Sequence, residues 1–209
     1  MSLPRFPRVF LLSPANTRGL RAEMLMRGEA RFDLAQRLRE GQTTIGEVYA
    51  FISGLYFRGK LAYSLAFAAA PEGVPPAVVI VPGAGLVPLD TRIGVEQLLA
   101  ISRVPIHQRN DDYLGPLVRD AALLDRHAGA QCRYVLLGSI ATEKYTRPLL
   151  DIFGARLLFP ETFVGRGDMS RGGLMLRAAR SSDELSYVPV ENAVRHGARP
   201  PKLEKWRKP

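Results

Sequence analysis

Polar residues that could bind an anion follow a short apolar run in the second half of the chain. The run Arg133–Leu137 ends at Gly138, and Ser139, Thr142 and Lys144 come soon after it. A helix beginning here would offer backbone amides, hydroxyls and a cation to a phosphate or carboxylate. The segment is not a P-loop, because the second glycine and the GK[ST] ending are missing. An anion site and an ordinary helix N-cap both remain open.

The string GRGDMSRGG, residues 165–173, combines glycines with two arginines and one aspartate. Glycine permits a close approach of the backbone or a positive φ. Arg166 and Arg171 could each form two parallel hydrogen bonds to a carboxylate or phosphate, with Asp168 orienting one of them. We predict a functional loop here. An exposed turn with solvated arginines and an interface loop are the alternatives.

A third group of candidates lies in the first half of the chain. Ser13 and Asn16 follow the apolar run at 9–12, and Gly83 and Gly85 follow the run at 77–81. A dinucleotide site requires G-x-G-x-x-G, whereas the sixth position here is Pro88. The two glycines are therefore interpreted as a sharp turn at a sheet edge in preference to a phosphate site.

Acid–base chemistry has few candidates in this sequence. His107 is the one candidate base, beside Asp111 and Asp112, and with Asp111 or Asp168 it forms the acid–base set that we nominate. An ordinary loop role is the alternative for His107. The three histidines share no metal-ligand spacing, and a single cysteine cannot build a zinc site, so no metal is expected.

Short apolar runs without alternation predict the elements that position these residues. Such runs are typical of strands buried on both faces of a parallel sheet. We predict five strands, at 9–12, 77–81, 103–106, 133–137 and 155–159.

Segments with helical spacing lie between these runs. They are 17–26, 32–40, 44–56, 61–70, 95–102, 111–128 and 141–153. Thr44 and Glu47 have the spacing of a capping box, in which each side chain satisfies a backbone amide of the other residue. Alternating strands and helices predict a three-layer, Rossmann-like α/β fold with a mostly parallel sheet and a helical insertion after the first strand.

The last part of the chain departs from this alternation. Residues 174–178 and 185–190 are predicted to form a C-terminal β-hairpin, and a helix over 174–180 is the competing interpretation. The length predicts one α/β domain over 1–190, followed by a basic tail over 191–209.

The carboxyl ends of parallel strands meet at one edge of a sheet, where ligands bind in open α/β folds. We therefore expect Ser13, Asn16, Ser139 and Lys144 to meet in one cleft, with Arg166 beside them. The chain carries 29 Lys and Arg against 20 Asp and Glu, a net charge of +9. Such a balance favours anionic partners, either a small molecule or nucleic acid.

The tail concentrates this positive charge. Residues 191–209 hold six basic and two acidic side chains and the single tryptophan, Trp206. A solvated end is one interpretation. An arm that contacts phosphates and stacks on bases is the second, and a segment packed on another subunit is the third.

The apolar runs and the single cysteine bear on where in the cell the protein is expected. No window has the roughly 20 apolar residues of a membrane span. One cysteine allows no disulfide within the chain, which fits a reducing compartment, and we expect a cytoplasmic protein that does not enter the membrane.

The stretch YFRGKLAYSLAFAAAPEGVPPAVVIVPGAGLVPLDTRI, residues 56–93, resembles a family of uncharacterised bacterial and phage domains. In that family a strand ends in Ser-Ala-Lys-His-Gly-Leu and is followed by Pro-Asp and an isoleucine. The sequence at 11–13 is similar to the family's first-strand exit, and Gly83 and Ala84 replace its Lys-His pair. A related domain accompanies archaeal tRNA-modifying enzymes of the deazaguanine type. The resemblance, over roughly residues 8–95, implies a nucleobase or nucleic-acid neighbourhood.

These observations predict a protein that binds a nucleotide, nucleoside or other phosphate-bearing ligand at the strand exits, in nucleobase or nucleic-acid processing. The alternative is a non-enzymatic nucleic-acid-binding module that uses the basic surface and tail. A structural or assembly protein without a ligand is the third possibility.

Overall fold

The computed structural model describes residues 6–203, so the last six residues, including Trp206, lie outside the described part. The strands are β1 (Arg8–Leu12), β2 (Thr43–Thr44), β3 (Ala77–Val81), β4 (Gly85–Pro88), β5 (Arg92–Ile93), β6 (Arg133–Leu137), β7 (Leu157–Pro160) and β8 (Tyr187–Pro189). The helices are α1 (Leu20–Met26), α2 (Asp33–Arg39), α3 (Ile45–Ser53), α4 (Leu55–Phe67), α5 (Val95–Arg103), α6 (Asp111–Ala128), α7 (Glu143–Phe153) and α8 (Asp168–Ser181).

Six strands of the described residues form one mostly parallel sheet in the order β4-β3-β1-β6-β7-β8. The strands β3, β1, β6 and β7 are parallel, and β4 and β8 pair antiparallel at the two edges. Leu11 lies opposite Val78 on one side and Leu136 on the other, and all three side chains are buried. The prediction of a three-layer α/β fold with a mostly parallel sheet is confirmed, because helices flank this buried sheet.

The helical insertion after the first strand is also confirmed. Helices α1 to α4 lie between β1 and β3 along the chain. The capping box at the start of α3 forms as predicted: the Glu47 amide donates to the Thr44 hydroxyl at 3.2 Å, and the Thr44 amide donates to the Glu47 carboxylate at 2.9 Å. The bond from the Thr44 amide is the largest influence lowering the pKa of Glu47.

The predicted strand at 103–106 is wrong. Arg103 ends α5, and the residues after it form no strand. Pro105 has no backbone N–H to donate to a sheet ladder, which explains why this weak apolar run stays outside the sheet. On the side away from β1, the strand that pairs with β3 is β4, which the sequence patterns did not predict.

The turn between β3 and β4 accounts for both glycines of the Gly-Ala-Gly segment. Gly83 and Gly85 have φ of +81° and +89°, a region that favours glycine. A Cβ on Gly85 would lie 2.7 Å from the Pro116 carbonyl oxygen and would collide with the Asp120 carboxylate. This geometry is that of a tight turn at the sheet edge.

The predicted C-terminal hairpin is half wrong. Residues 174–178 belong to α8, as the competing helical interpretation had it, whereas Tyr187–Pro189 form β8 and pair with β7. Glycine has a low helix propensity, but the glycines of this contact allow two helices to pack closely. A Cβ on Gly172 would lie 2.7 Å from the Leu55 carbonyl oxygen, and one on Gly59 would lie 2.6 Å from the Gly172 carbonyl oxygen. The backbones of α4 and α8 therefore touch at Gly59 and Gly172.

The described part of the basic tail lies against the domain. Arg195 forms an ion pair with Glu143 at 3.2 Å, and the Arg166 guanidinium donates to the Pro201 carbonyl at 3.3 Å. The Ala198 carbonyl passes so close to Gly165 that a Cβ there would collide with it. Residues 195–201 therefore cross the start of α8 and the start of α7. The domain boundary at 190 remains a prediction.

Among residues 6–203, none of the helices combines the length and the apolar character needed to cross a membrane.

The contact between α4 and α8 predicts opposite effects for two neighbouring glycines. Gly172→Ala places a methyl group against the Leu55 carbonyl and should lower the free energy of unfolding by about 1–3 kcal/mol, as overpacking does. At Gly173 the nearest atom to an added Cβ is the Leu203 side chain at 3.4 Å, which is ordinary contact. Gly173→Ala should be neutral or stabilising by up to about 1 kcal/mol through helix propensity. Urea unfolding of both variants measures the difference, and equal effects would contradict the proposed close contact.

Candidate functional site

A cleft of about 370 Å³ lies at the carboxyl ends of β1 and β6. Its walls come from the loops after these two strands, from the junction of α3 and α4, from the segment before α6, and from the first turns of α7 and α8. The lining residues are Ser13, Pro14, Ala15, Asn16, Ile52, Ser53, Tyr56, Ile106, Ser139, Lys144, Tyr145 and Asp168. A cleft at this edge is where open α/β sheets bind their ligands.

The loop after β1 is fixed by its own polar groups. Pro14 cannot continue the strand ladder as a donor, so the chain leaves the sheet after Ser13. The Asn16 side chain accepts a hydrogen bond from the Arg18 amide at 3.1 Å and closes a turn. Across the cleft, the Ser139 hydroxyl accepts from the Ala141 amide at 3.3 Å.

A lysine lies beneath this loop. Lys60, on α4, is 0 % exposed, and its Nζ donates to the Ser13 carbonyl at 2.9 Å and to the Ser13 Oγ at 2.7 Å. The same nitrogen lies 4.0 Å from the centre of the Tyr56 ring. Among the described residues it forms no ion pair with a carboxylate. The charged groups that act on its pKa are Asp168 and Arg171, both on α8.

Burial lowers the pKa of Lys60 to about 7 because the apolar surroundings disfavour the ammonium form. Asp168 opposes this effect and Arg171 adds to it. Near neutral pH, a large share of Lys60 is therefore an uncharged amine that can accept a proton.

Two tyrosines form the aromatic part of the cleft wall. Burial raises the pKa of Tyr56 to about 12 and also raises the pKa of Tyr145, so both phenols stay protonated at neutral pH. The Tyr56 hydroxyl is buried without a hydrogen-bond partner among the described residues. Arg171 and Ser13 are nevertheless polar neighbours that lower its pKa, so this hydroxyl lies close to them without a well-formed hydrogen bond.

The structure brings together five of the residues nominated from the sequence. Ser13, Asn16, Ser139, Lys144 and Asp168 all line the cleft, although they come from separate parts of the chain. Their meeting follows from the parallel order of β1 and β6, and the start of α8 completes the set.

Other nominated residues lie outside the cleft lining. Thr142 is exposed at the N-cap of α7 and makes no side-chain cap. Arg166 donates to the Thr162 and Pro201 carbonyls and to the Ser170 hydroxyl, and Arg171 donates to the Phe163 carbonyl. Arg166 holds the chain before α8. Arg171 also pairs with Asp168 at 3.9 Å, as the sequence suggested for one of the two arginines, so it lies next to the cleft wall without lining the cleft.

His107 and Asp111 are not brought to Asp168. His107 is exposed, and its Nδ1 accepts a hydrogen bond from the Arg109 amide at 3.1 Å. Asp111 is exposed in the first turn of α6, and neither side chain lines the cleft. Gly83 lines a separate, apolar hollow beside β3 and α5, and Gly85 begins β4.

Sequence reasoning missed Lys60 and Tyr56. The available signal was their spacing, because Tyr56, Lys60 and Ser64 fall four residues apart along one apolar helix and all three are buried. A lysine on the buried stripe of a helix needs an explanation, since lysine is almost never fully buried without a partner.

Comparisons of the chain with models of protein families, with curated proteins and with solved structures find no match. Among the described residues, no three His, Cys, Asp or Glu side chains are grouped so that they could hold a metal ion.

The buried lysine should make stability depend on pH in a defined window. The native state binds a proton on Lys60 only below a pKa of about 7, whereas an unfolded lysine keeps its proton to a pKa of about 10.5. The unfolded state therefore binds more protons between these values, and the free energy of unfolding should rise with pH by up to about 1.4 kcal/mol per pH unit. Tyr56, Asp168, Arg171 and Ser13 are the polar groups around it.

Urea unfolding of the wild type and of Lys60→Met at pH 6, 7, 8 and 9 isolates this contribution. The difference in free energy of unfolding, wild type minus variant, should increase with pH above pH 7. Lys202→Met is the control, because Lys202 is exposed and its variant should show no such trend. A difference that stays constant with pH would exclude the buried, neutralised lysine.

Proposed function

We propose that the cleft binds a nucleoside, a nucleotide or a related phosphate-bearing small molecule. The observation that carries this proposal is the grouping of Asn16, Ser139, Lys144 and Asp168 with two tyrosines in one cleft of about 370 Å³. Small-molecule sites typically measure about 300–1,000 Å³ and combine apolar walls with a few polar groups.

The cleft offers a suitable surface to each part of such a ligand. Tyr56, Tyr145 and Ile106 offer flat and apolar contact to a base. Asn16, Ser139 and Asp168 offer donors and acceptors to hydroxyl or amino groups of the ligand. Lys144 supplies the positive charge for a phosphate.

The surroundings of Lys144 support this role. Its backbone carbonyl accepts a hydrogen bond from the Tyr113 hydroxyl at 2.8 Å, and its Nζ lies 5.0 Å from the centre of the Tyr145 ring. The neighbouring carboxylate of Glu143 is paired with Arg195 of the tail. Because that negative charge is compensated, Lys144 is free to attract an anion to the cleft.

A longer nucleic-acid strand is the second candidate. Arg199 and Lys202 are exposed on the tail, which crosses the start of α8, and Asp168 at that start also lines the cleft. One nucleotide would occupy the cleft and the next phosphates would contact these two cations. Such binding would weaken steeply with salt, since it releases counterions.

A thermal-shift screen of nucleosides and nucleoside monophosphates, followed by calorimetry, tests the main proposal. A ligand at 100 times its Kd should stabilise the protein by about 2.7 kcal/mol. Lys144→Ala should weaken phosphate-bearing ligands by about tenfold or more and nucleosides much less, because a tenfold change corresponds to about 1.4 kcal/mol, the scale of a charged contact.

Arg126→Ala is the charge-matched control, because Arg126 is exposed at the far end of α6 and should leave binding unchanged. The proposal fails if no nucleoside or nucleotide raises Tm, or if Lys144→Ala binds them as the wild type does. Affinity for an oligonucleotide that is lost in the Arg199→Glu, Lys202→Glu double variant, with mononucleotide affinity retained, would favour the strand.

A further inference from the structure

Ser13 and Lys60 are placed as a nucleophile and its base would be. The Lys60 Nζ lies 2.7 Å from the Ser13 Oγ, within hydrogen-bond reach. Ser13 lines the cleft, whereas Lys60 lies wholly behind it with no exposed surface. A ligand in the cleft therefore meets the serine oxygen first, with the lysine nitrogen directly behind it.

The surrounding packing holds this pair in place. A Cβ on Gly138 would lie 2.9 Å from the Ser13 Cβ and 3.1 Å from its Oγ, so only glycine leaves room for the serine side chain there. On the other side, Gly59 directly precedes Lys60, and its backbone contact with Gly172 holds this part of α4 against α8. The second hydrogen bond of Lys60, to the Ser13 carbonyl, restricts the position of the amine further.

A purely structural role for Lys60 would be costly. Burying an ammonium without a carboxylate partner costs about several kcal/mol, because its hydration is lost. A neutral amine avoids this cost and can accept the hydroxyl proton of Ser13, which an ammonium cannot. Perturbed groups of this kind gather at functional sites, and serine–lysine pairs are a known variant of the serine–histidine–aspartate triad.

We propose that Ser13 and Lys60 form a catalytic dyad that hydrolyses a carboxylic ester bound in the cleft. Lys60 takes the proton from the Ser13 hydroxyl as Oγ attacks the carbonyl carbon. The carbonyl π electrons move to its oxygen, which becomes an oxyanion, and we assign the side-chain amide of Asn16, which lines the cleft, as its hydrogen-bond donor.

The tetrahedral centre then collapses and the bond to the alcohol oxygen breaks. The Lys60 ammonium returns its proton to the departing alkoxide, which leaves as the alcohol, and the acyl group remains on Ser13. Water then attacks the carbonyl carbon of this ester while Lys60 accepts a proton from it. As the bond to Oγ breaks, Lys60 returns that proton to Oγ, which restores the Ser13 hydroxyl and the neutral amine and releases the carboxylic acid. No oxidant, reductant or metal enters this sequence.

The inference stands on the geometry of Ser13 and Lys60 and is independent of whether the ligand is a nucleotide. A fluorophosphonate reagent and p-nitrophenyl acetate are suitable probes. The phosphonate forms a bond from phosphorus to the Ser13 Oγ and loses fluoride, and the hydroxyl proton passes to Lys60. Mass spectrometry of peptides then locates the adduct.

We expect one adduct, on Ser13, and none in Ser13→Ala. Lys60→Met should slow labelling and release of p-nitrophenol by about 100-fold or more, the usual scale of general-base catalysis. Ser181→Ala is the matched control, because Ser181 is exposed at the end of α8 and does not line the cleft. It should label at the wild-type rate.

A wild-type pH profile gives a readout that a structural lysine would not produce. The rate of labelling should rise with pH through about 7 and then level off, following deprotonation of Lys60. This measurement needs no variant, so it holds even if Lys60→Met does not fold, which circular dichroism would reveal.

Several outcomes overturn the dyad. These are the absence of an adduct on Ser13 at saturating phosphonate, equal rates in a folded Lys60→Met variant, and a flat pH profile between 6 and 8. Nucleotide binding without labelling would overturn the dyad alone, whereas labelling without nucleotide binding would overturn the proposed ligand alone.

Discussion

The meeting of two helix backbones at Gly59 and Gly172 is the constraint on which the cleft depends. With no side chain at either position, α4 can lie directly on α8 and bring Lys60 under the end of β1. The same contact sets the start of α8, and hence Asp168, at the rim of the cleft. Larger residues at these positions would separate α4 from α8. Asp168 and Arg171, which act on the charge of Lys60, would then lie farther from it.

The sheet could be predicted from the sequence because its strands are buried on both faces. Residues 77–81 and 133–137 are uninterrupted apolar runs flanked by helical patterns, and both form parallel strands. The position of the cleft could be predicted as well, since parallel strands bring their carboxyl ends together. Ser13, Ser139 and Lys144 needed no more than this topology to be placed.

Local patterns failed where tertiary contacts decided the structure. Gly172 and Gly173 disfavour a helix by intrinsic propensity, yet the close contact with α4 makes a glycine necessary in α8. Arg166 and Arg171 have the chemistry of an anion clamp, but Arg166 donates to the Thr162 and Pro201 carbonyls, and Arg171 donates to the Phe163 carbonyl and pairs with Asp168. Which acceptor an arginine finds depends on loops that no residue pattern specifies, and the burial of Lys60 likewise depends on a helix pairing distant in sequence.

The central position of β1 has a consequence for the assembly of the molecule. Along the chain β1 precedes its partners β3 and β6, so during synthesis Leu11 remains without Val78 and Leu136 until these strands have emerged. Sheets built from such distant pairings close slowly, because loop closure must come before the contacts form. The growing chain must therefore carry an unpaired apolar segment until β3 and β6 have been synthesised, a period in which the intervening helices or a chaperone would have to shield it.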